Sequence, residues 1–136
     1  MHKFLSIAAL LLSSVASANT VAPIAEAQDG DRLLAVVESF EIKPNNKGLS
    51  VASVVTFWAS SPEKLIFWAM DATSCARGAG EIIAGDPKTG KMERYFWTAG
   101  GKRIYDGVAV QLCTAKRRIE DSETDAETEQ DPGESV

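Results

Sequence analysis

The sequence is poor in histidine and cysteine, and both shortages restrict its chemistry. Its one histidine is His2, and its only cysteines are Cys75 and Cys113. Without a histidine in the body of the chain, neither Ser-His-Asp nor Cys-His catalysis can be assembled. A zinc site built on histidine is excluded for the same reason. We therefore expect a protein that is not an enzyme and that uses no metal or other cofactor.

The chain also lacks an apolar run of the length that a membrane-spanning helix needs, about 18 residues or more. Its apolar stretch 4–12 follows Lys3 and precedes the small residues A-S-A at 16–18. This order predicts a secretory signal peptide, 1–18, with cleavage before Asn19; a short buried helix is the alternative. No cysteine lies directly after the apolar stretch, where a lipid would be attached. We therefore expect a periplasmic or secreted protein without a lipid anchor or a transmembrane segment.

Basic residues are missing from the C-terminal segment 120–136, which carries eight acidic residues. The segment has too few apolar side chains to offset the entropy of ordering, so we expect a disordered acidic tail. Such a tail either keeps the protein soluble or binds a basic partner. The rest of the exported chain, 19–119, has 13 Lys and Arg against 11 Asp and Glu. This near-neutral balance argues against nucleic-acid binding, which needs a clustered basic surface.

The part between the two ends is long enough for one small domain. We expect 19–30 to be a loose lead-in segment that ends in a turn at Asp29-Gly30, and 31–119 to form a single α+β domain. An exported chain meets an oxidising compartment, so a disulfide between Cys75 and Cys113 is expected; two unlinked thiols are the alternative. In the chain-entropy model this bridge stabilises the domain by about 4 kcal/mol.

Turn residues separate segments that are rich in β-branched and aromatic residues, and these segments predict strands. The predicted strands are 32–42, 49–59, 65–71, 81–85 and 91–98. A helical period then places Val108, Leu112 and Ala115 on one face, with Asp106 as a candidate N-cap. The pattern predicts an antiparallel meander sheet of about five strands, packed on one C-terminal helix and joined to it by one disulfide.

Two Phe-Trp-Ala triplets, 57–59 and 67–69, make both faces of the second and third strands apolar. We expect these strands to set Phe57 opposite Phe67, beneath the helix, because the neighbouring alanines leave room for it. Trp58 and Trp68 then share the second face, which must meet the lead-in segment, sheet curvature, a second subunit or a ligand. They are therefore candidate partner-binding residues, with packing inside the domain as the alternative.

The fifth strand supplies two further candidates for partner binding. Tyr95 and Trp97 share a face with Lys91 and Glu93, and aromatic side chains beside polar ones are typical of recognition surfaces. Packing of these aromatics on a neighbouring strand is the alternative. We identify no catalytic, cofactor-binding or metal-binding residue: Asp29-Gly30-Asp31 has too few ligands for a calcium loop, and we interpret it as a turn.

Three sequence segments carry a resemblance to a known family: DATSCARGAG, IIAGDPKTGKMERYFW and GVAVQLC, within 49–113. In these segments the chain resembles exported Gram-negative proteins of the surface-adhesin protein E type. The resemblance implies a small antiparallel sheet with a helix, and a location in the cell envelope. Members of the family are often lipid-anchored, whereas this chain has no cysteine for an anchor, and none of its residues matches a binding residue of the family.

These observations leave three functional hypotheses. The first is an exported, non-enzymatic binding module whose partner is a protein or another envelope component. The second is a periplasmic inhibitor or immunity-like protein that acts on a basic partner through its acidic tail or a loop. The third is a small hydrolase that uses a pair of carboxylates, because such a pair is defined in space and not by sequence spacing.

Overall fold

The computed structural model describes residues 20–134, and it describes side chains for 20–122. The predicted signal peptide, 1–18, lies outside the described residues. The described chain forms β1 (Val21–Glu26), β2 (Arg32–Val36), β3 (Glu41–Pro44), β4 (Ser50–Trp58), β5 (Ser61–Asp71), β6 (Ala79–Gly85), β7 (Met92–Thr98) and α1 (Ile104–Glu134). Two short 3-10 turns, Val37–Ser39 and Ala72–Ala76, interrupt the sequence of strands.

The strands form one antiparallel sheet in the order β1-β2-β4-β5-β6-β7, and β3 also pairs with β4. One C-terminal helix packs on this sheet, and a disulfide joins Cys75 to Cys113, whose Cα atoms are 5.6 Å apart. The predicted α+β class, the antiparallel sheet and the disulfide are confirmed.

Two predictions near the N-terminus, a lead-in segment and a long strand, are wrong. The segment 19–30 is not a loose lead-in, because it contains β1, which pairs with β2 at the edge of the sheet. The predicted strand 32–42 is split by the turn Val37–Ser39. The Ser39 hydroxyl stabilises this interruption: it donates to the carbonyl of Val36 at 2.6 Å and accepts from the backbone N–H of Val55 at 2.8 Å.

The hairpin of β4 and β5 is tighter than predicted. It turns at 59–60, so Phe57 lies opposite Leu65, and Phe67 lies opposite Val55. The expected pair of Phe57 and Phe67 is therefore wrong by two positions. A shift of two residues preserves the faces of a strand, and the predicted separation of the Phe and Trp side chains onto opposite faces holds.

The face that packs beneath the helix is the tryptophan face, so the prediction that Phe57 and Phe67 lie there is wrong. We call the helix-facing side of the sheet the inner face and the opposite side the outer face. The buried inner-face residues are Leu33, Ala35, Ala52, Val54, Thr56, Trp68, Met70, Ile82 and Trp97. They meet a helix whose buried apolar residues are Val108, Ala109 and Leu112, so the tryptophans of the core come from the sheet.

The first turns of the helix reach both edge strands of the sheet. The carboxylate of Asp106 accepts a hydrogen bond from the backbone N–H of Thr98 in β7 at 2.8 Å. A Cβ atom on Gly107 would stand 3.6 Å from the Cβ atom of Ala25 in β1. Because the two edge strands both approach this part of α1, the start of the helix spans the inner face from one edge to the other.

The helix is longer than predicted. It continues beyond Ile119 to Glu134, so the backbone of most of the segment predicted to be a disordered tail is helical. A salt bridge between Lys116 and Glu120, at 2.5 Å, links successive turns where that segment begins. Nowhere between residues 20 and 134 is there a helix that combines the length and apolarity needed to cross a membrane.

Candidate functional site

Three turns meet at one end of the sheet and enclose an open cleft of ≈ 680 Å³. They connect β1 to β2, β4 to β5, and β6 to β7, and the first residue of α1, Ile104, closes the fourth side. The cleft lies where α1 leaves the inner face uncovered. The residues of its apolar floor are Trp58, Ile66, Trp68, Ala84 and Tyr95. The residues of its charged rim are Asp29, Asp31, Lys64, Asp86, Lys91 and Glu93.

A buried hydrogen-bond relay fixes the deepest part of the floor. The indole N–H of Trp68 donates to the hydroxyl of Thr56 at 2.8 Å, and that hydroxyl donates to the carbonyl of Ile66 at 3.3 Å. Thr56 is fully buried and Trp68 is 5% exposed. The relay satisfies the indole N–H, which would otherwise be a costly unpaired group in the core, and it holds the ring in one orientation.

A stack of aromatic rings forms the wall on the β7 side. Tyr95 stacks on Tyr105 of the helix with 4.6 Å between ring centroids and 11° between planes. The guanidinium carbon of Arg103 lies 4.7 Å above the Tyr105 ring. On the cleft side, the Tyr95 hydroxyl donates to the carboxylate of Glu93. This hydrogen bond raises the pKa of Tyr95, so the phenol stays neutral and remains a donor.

The buried carboxylate of Asp106 anchors this wall to the sheet. Besides Thr98, it accepts hydrogen bonds from the backbone N–H of Arg103 at 2.9 Å and from the Arg103 side chain at 3.0 Å. Asp106 is therefore not the predicted N-cap, because its side chain reaches back to the residue that precedes the helix, as in a capping box. Burial opposes its ionisation, but the hydrogen bonds from Arg103 and Thr98 outweigh burial and lower its pKa.

The rim combines fixed carboxylates with two ammonium groups. Both oxygens of Asp31 accept from Ser60, one from its backbone N–H at 3.2 Å and one from its hydroxyl, which ties two of the turns together. Asp86 accepts from the backbone N–H of Lys88 at 2.8 Å, and this bond lowers the pKa of Asp86. Within the described part of the chain, neither Lys64 nor Lys91 forms a salt bridge.

The structure brings three of the four predicted partner-binding residues together. Trp58, Trp68 and Tyr95 all line the cleft, and Trp58 and Tyr95 are partly exposed there. Trp97 does not line it: its side chain is 1% exposed in the core, where its indole N–H has no hydrogen-bond partner among the described residues. Trp97 therefore offers no surface to a partner, and Trp68 offers only the edge that forms the floor.

Several residues of the cleft were missed by the sequence analysis. Asp31, Lys64 and Ile104 are far apart in the chain, and only the meeting of the three turns with the start of α1 brings them together. The exposed apolar residues of β7 were not recognised as a surface: Met92 and Phe96 lie on the outer face and are the most exposed large apolar side chains among the described residues.

No group of three or more His, Cys, Asp or Glu side chains is placed to hold a metal ion in the part of the chain that the structure describes. Comparisons with protein-family models, with curated proteins and with solved structures found no match. The chemistry of the cleft therefore stands on its own residues: an aromatic floor for an apolar group, and both signs of charge at the rim for polar groups.

Proposed function

We propose that this chain is an exported, non-enzymatic binding module of the bacterial envelope, and that its ligand occupies the cleft. The observation that carries the proposal is the combination of Trp58 and Tyr95 on an open apolar floor with Lys64 and Lys91 at the rim. Ligand sites of ≈ 300–1,000 Å³ with an apolar lining and a few polar groups are the usual form of binding pockets. The ligand is a protein or envelope component that presents an apolar group to the rings and a polar group to the rim.

Two features support export. The first residues follow the order of a secretory signal, and the two cysteines of the domain form a disulfide, which persists mainly in oxidising compartments. The resemblance to surface-adhesin protein E-like proteins agrees with an envelope location. The ligand is proposed from the chemistry of the cleft alone, because the resemblance matches no binding residue.

The experiment compares the wild type with a cleft variant in capture from envelope extract. Lys64→Glu and Lys91→Glu, made together, reverse both ammonium groups; both side chains are exposed, so the fold should be retained. Lys47→Glu is the matched control, since Lys47 is exposed and its turn between β3 and β4 does not line the cleft. A ligand that binds the cleft should be recovered with the wild type and the control and be lost with the double variant.

A fluorescence titration provides the direct measurement. The captured component, once purified, should change the tryptophan emission of the protein, because Trp58 and Trp68 line the cleft. Equal recovery of every component by the wild type, the control and the double variant would show that binding occurs elsewhere and would refute the proposed site.

The excess of carboxylates at the rim favours a second function, an inhibitor or immunity-like protein that acts on a basic partner. Asp29, Asp31, Asp86 and Glu93 outnumber Lys64 and Lys91. The same double variant separates the two functions. Reversing two ammonium groups makes the rim more acidic, so it should strengthen binding of a basic partner, and rising salt should weaken that binding.

A further inference from the structure

The strand β7 has an unpaired edge whose residues can be identified from its hydrogen bonds. Between β6 and β7, the N–H of Asp86 donates to the carbonyl of Lys91, and the N–H of Ala99 donates to the carbonyl of Gly78. In an antiparallel ladder the pairing alternates along the strand, so the odd-numbered residues of β7 bond to β6. The even-numbered residues direct their backbone groups away from the sheet.

One end of this edge is already used, and the rest is free. The outward N–H of Thr98 donates to Asp106, and its carbonyl accepts from Gly101. The outward backbone groups of Met92, Arg94 and Phe96 have no hydrogen-bond partner among the described residues. The free edge therefore spans 92–96, with Arg94 at its centre.

The opposite edge of the sheet is protected in a way that β7 is not. Strand β1 contains Pro23, which has no N–H to donate, and its register with β2 shifts between Pro23 and Ala25. Proline and bulges are devices that prevent edge strands from pairing with other chains. The register of β7 with β6 is unbroken from Ala79 and Thr98 to Gly85 and Met92, so β7 remains a regular template for a further strand.

The same three residues carry exposed side chains on the outer face. Met92 is 72% exposed and Phe96 is 64% exposed, and they lie symmetrically on either side of Arg94. Phe67 of β5, which is 43% exposed and pairs with Gly85 opposite Met92, continues the apolar surface behind them. An apolar strip of this kind along an unprotected edge indicates a contact surface.

We propose that β7 pairs antiparallel with β7 of a second copy of this chain, around a two-fold axis at Arg94. In this register Met92 lies opposite Phe96 of the second copy, and Met92, Arg94 and Phe96 of both copies satisfy one another's outward N–H and C=O groups. A second copy fits because a two-fold interface uses the same patch on both partners. The pairing closes on itself, because the two-fold axis places the β7 edge of each copy against the β7 edge of the other and leaves neither free.

The charges at the axis are compatible with this register. Two Arg94 side chains meet there, and like charges directly opposite one another are unfavourable. Each guanidinium, however, lies 3.5 Å from the carboxylate of Glu81 in its own chain. Each copy therefore brings a compensated pair of charges to the interface. This inference is independent of the cleft and of its ligand.

The experiment is sedimentation velocity on the exported protein over a range of concentrations. The wild type should form a dimer. Met92→Glu or Phe96→Lys places a charge opposite an apolar side chain of the second copy, and each should raise the dissociation constant at least about tenfold. The double variant M92E/F96K places Glu opposite Lys at both ends of the interface and should restore association toward the wild-type value.

Leu65→Lys is the matched control, because Leu65 lies on the same outer face but away from the edge. It should leave the dimer intact, whereas a dimer formed by stacking of two outer faces would dissociate. Near-UV circular dichroism should confirm that each variant is folded, since all the changed side chains are exposed. A wild type that stays monomeric, a dimer that tolerates both single changes, or a double variant that fails to recover association would each overturn the proposal.

Discussion

At the scale of single residues, the cleft and the core depend on a few buried polar groups that are fully hydrogen-bonded. Thr56 and Asp106 are both completely buried, and each joins two elements. Thr56 links β4 to β5 through Trp68 and Ile66, whereas Asp106 links α1 to the end of β7. Because a buried donor or acceptor without a partner costs about 1–3 kcal/mol, these two residues should be more sensitive to substitution than their small size suggests.

Thr56→Val should destabilise the protein by about 1–3 kcal/mol, because it keeps the shape of the side chain and leaves the indole N–H of Trp68 without an acceptor. Urea unfolding followed by tryptophan fluorescence measures the change. Thr114→Val is the control: its hydroxyl bonds to the carbonyl of Val110 within the same helix, so its effect should stay below about 0.5 kcal/mol. Equal effects of the two changes would show that the relay does not stabilise the fold.

Asp106→Asn should lower stability at neutral pH by about 2–3 kcal/mol, because the hydrogen bonds that it replaces are made to a charged group. The pKa of Asp106 is lower in the folded protein than in the unfolded chain. Its stabilising contribution is therefore complete above the unfolded pKa, about 3.9, and is lost as the pH falls through the folded pKa.

Thermal unfolding at a series of pH values tests this dependence. The difference between the wild type and Asp106→Asn should be largest near neutral pH and should shrink in acid. Glu63→Gln is the control, since Glu63 is exposed and makes no hydrogen bond or salt bridge in the described part of the chain. A difference that is constant from neutral pH to below the folded pKa would show that the charge of Asp106 is not what stabilises the helix start.

At the scale of elements, the hairpin of β4 and β5 separates two apolar faces with different roles. The inner face holds Trp68 against the helix, whereas the outer face leaves Phe67 43% exposed. The two residues are adjacent and similar in chemistry, so the difference between them arises from the side of the sheet that α1 covers. The edge strand β7 continues the same division, with Trp97 buried inside and Phe96 exposed outside.

Trp68→Ala should cost about 3–5 kcal/mol, as expected for an aromatic residue removed from a core. Phe67→Ala should cost much less, because a large part of the Phe67 ring is already in water. Urea midpoints measured by circular dichroism, which does not depend on the removed tryptophan, compare the two variants. The reverse order would mean that the outer face is the one that packs within the protein.

A stop codon after Asp121 should reduce the helical signal in far-UV circular dichroism and leave the melting temperature within a degree or two. Residues 122–134 belong to the helix α1, but the segment removed is acidic and has few apolar residues to bury. If the truncated protein keeps the full helical signal, residues 122–134 are not helical in solution. A clear fall in melting temperature would show that the segment docks on the domain.

At the scale of the whole molecule, the disulfide and the helix combine to close one face of the sheet. Cys113 lies in the third turn of α1, and Cys75 lies in the 3-10 turn after β5. The bridge therefore fixes α1 at a second point, beyond the contact of Asp106 with β7. A domain of this size has a limited core, and a disulfide that requires an oxidising compartment suits the export that we propose.

If the chain is exported as proposed, the mature protein begins at Asn19 and contains no free thiol. Expression in a Gram-negative host, followed by intact-mass measurement of the periplasmic fraction, should give the mass of residues 19–136. Treatment with a thiol reagent before reduction should add no mass, and treatment after reduction should add two labels, one each for Cys75 and Cys113. Recovery of an uncleaved chain in the cytoplasm would refute the proposed localisation.

The amino-acid sequence by itself determined the class of fold, most of the strands, the pairing of the two cysteines and the separation of side chains onto the two faces of each strand. These features follow from local rules: residue period, turn residues and the count of cysteines. The strand β1 was missed because 21–26 carries a proline and a bulge, which weaken the local signal of an edge strand.

Only the tertiary structure decided which face is the core, and where the cleft lies. Both faces of the β4 and β5 hairpin are apolar, so the pattern of Phe57, Trp58, Phe67 and Trp68 is the same whichever face the helix covers. The tryptophan face supplies the aromatic volume beneath a helix whose buried apolar residues are Val108, Ala109 and Leu112. The cleft, likewise, exists because three turns that are distant in the chain lie together at one end of the sheet. No local sequence pattern predicts that these turns are neighbours.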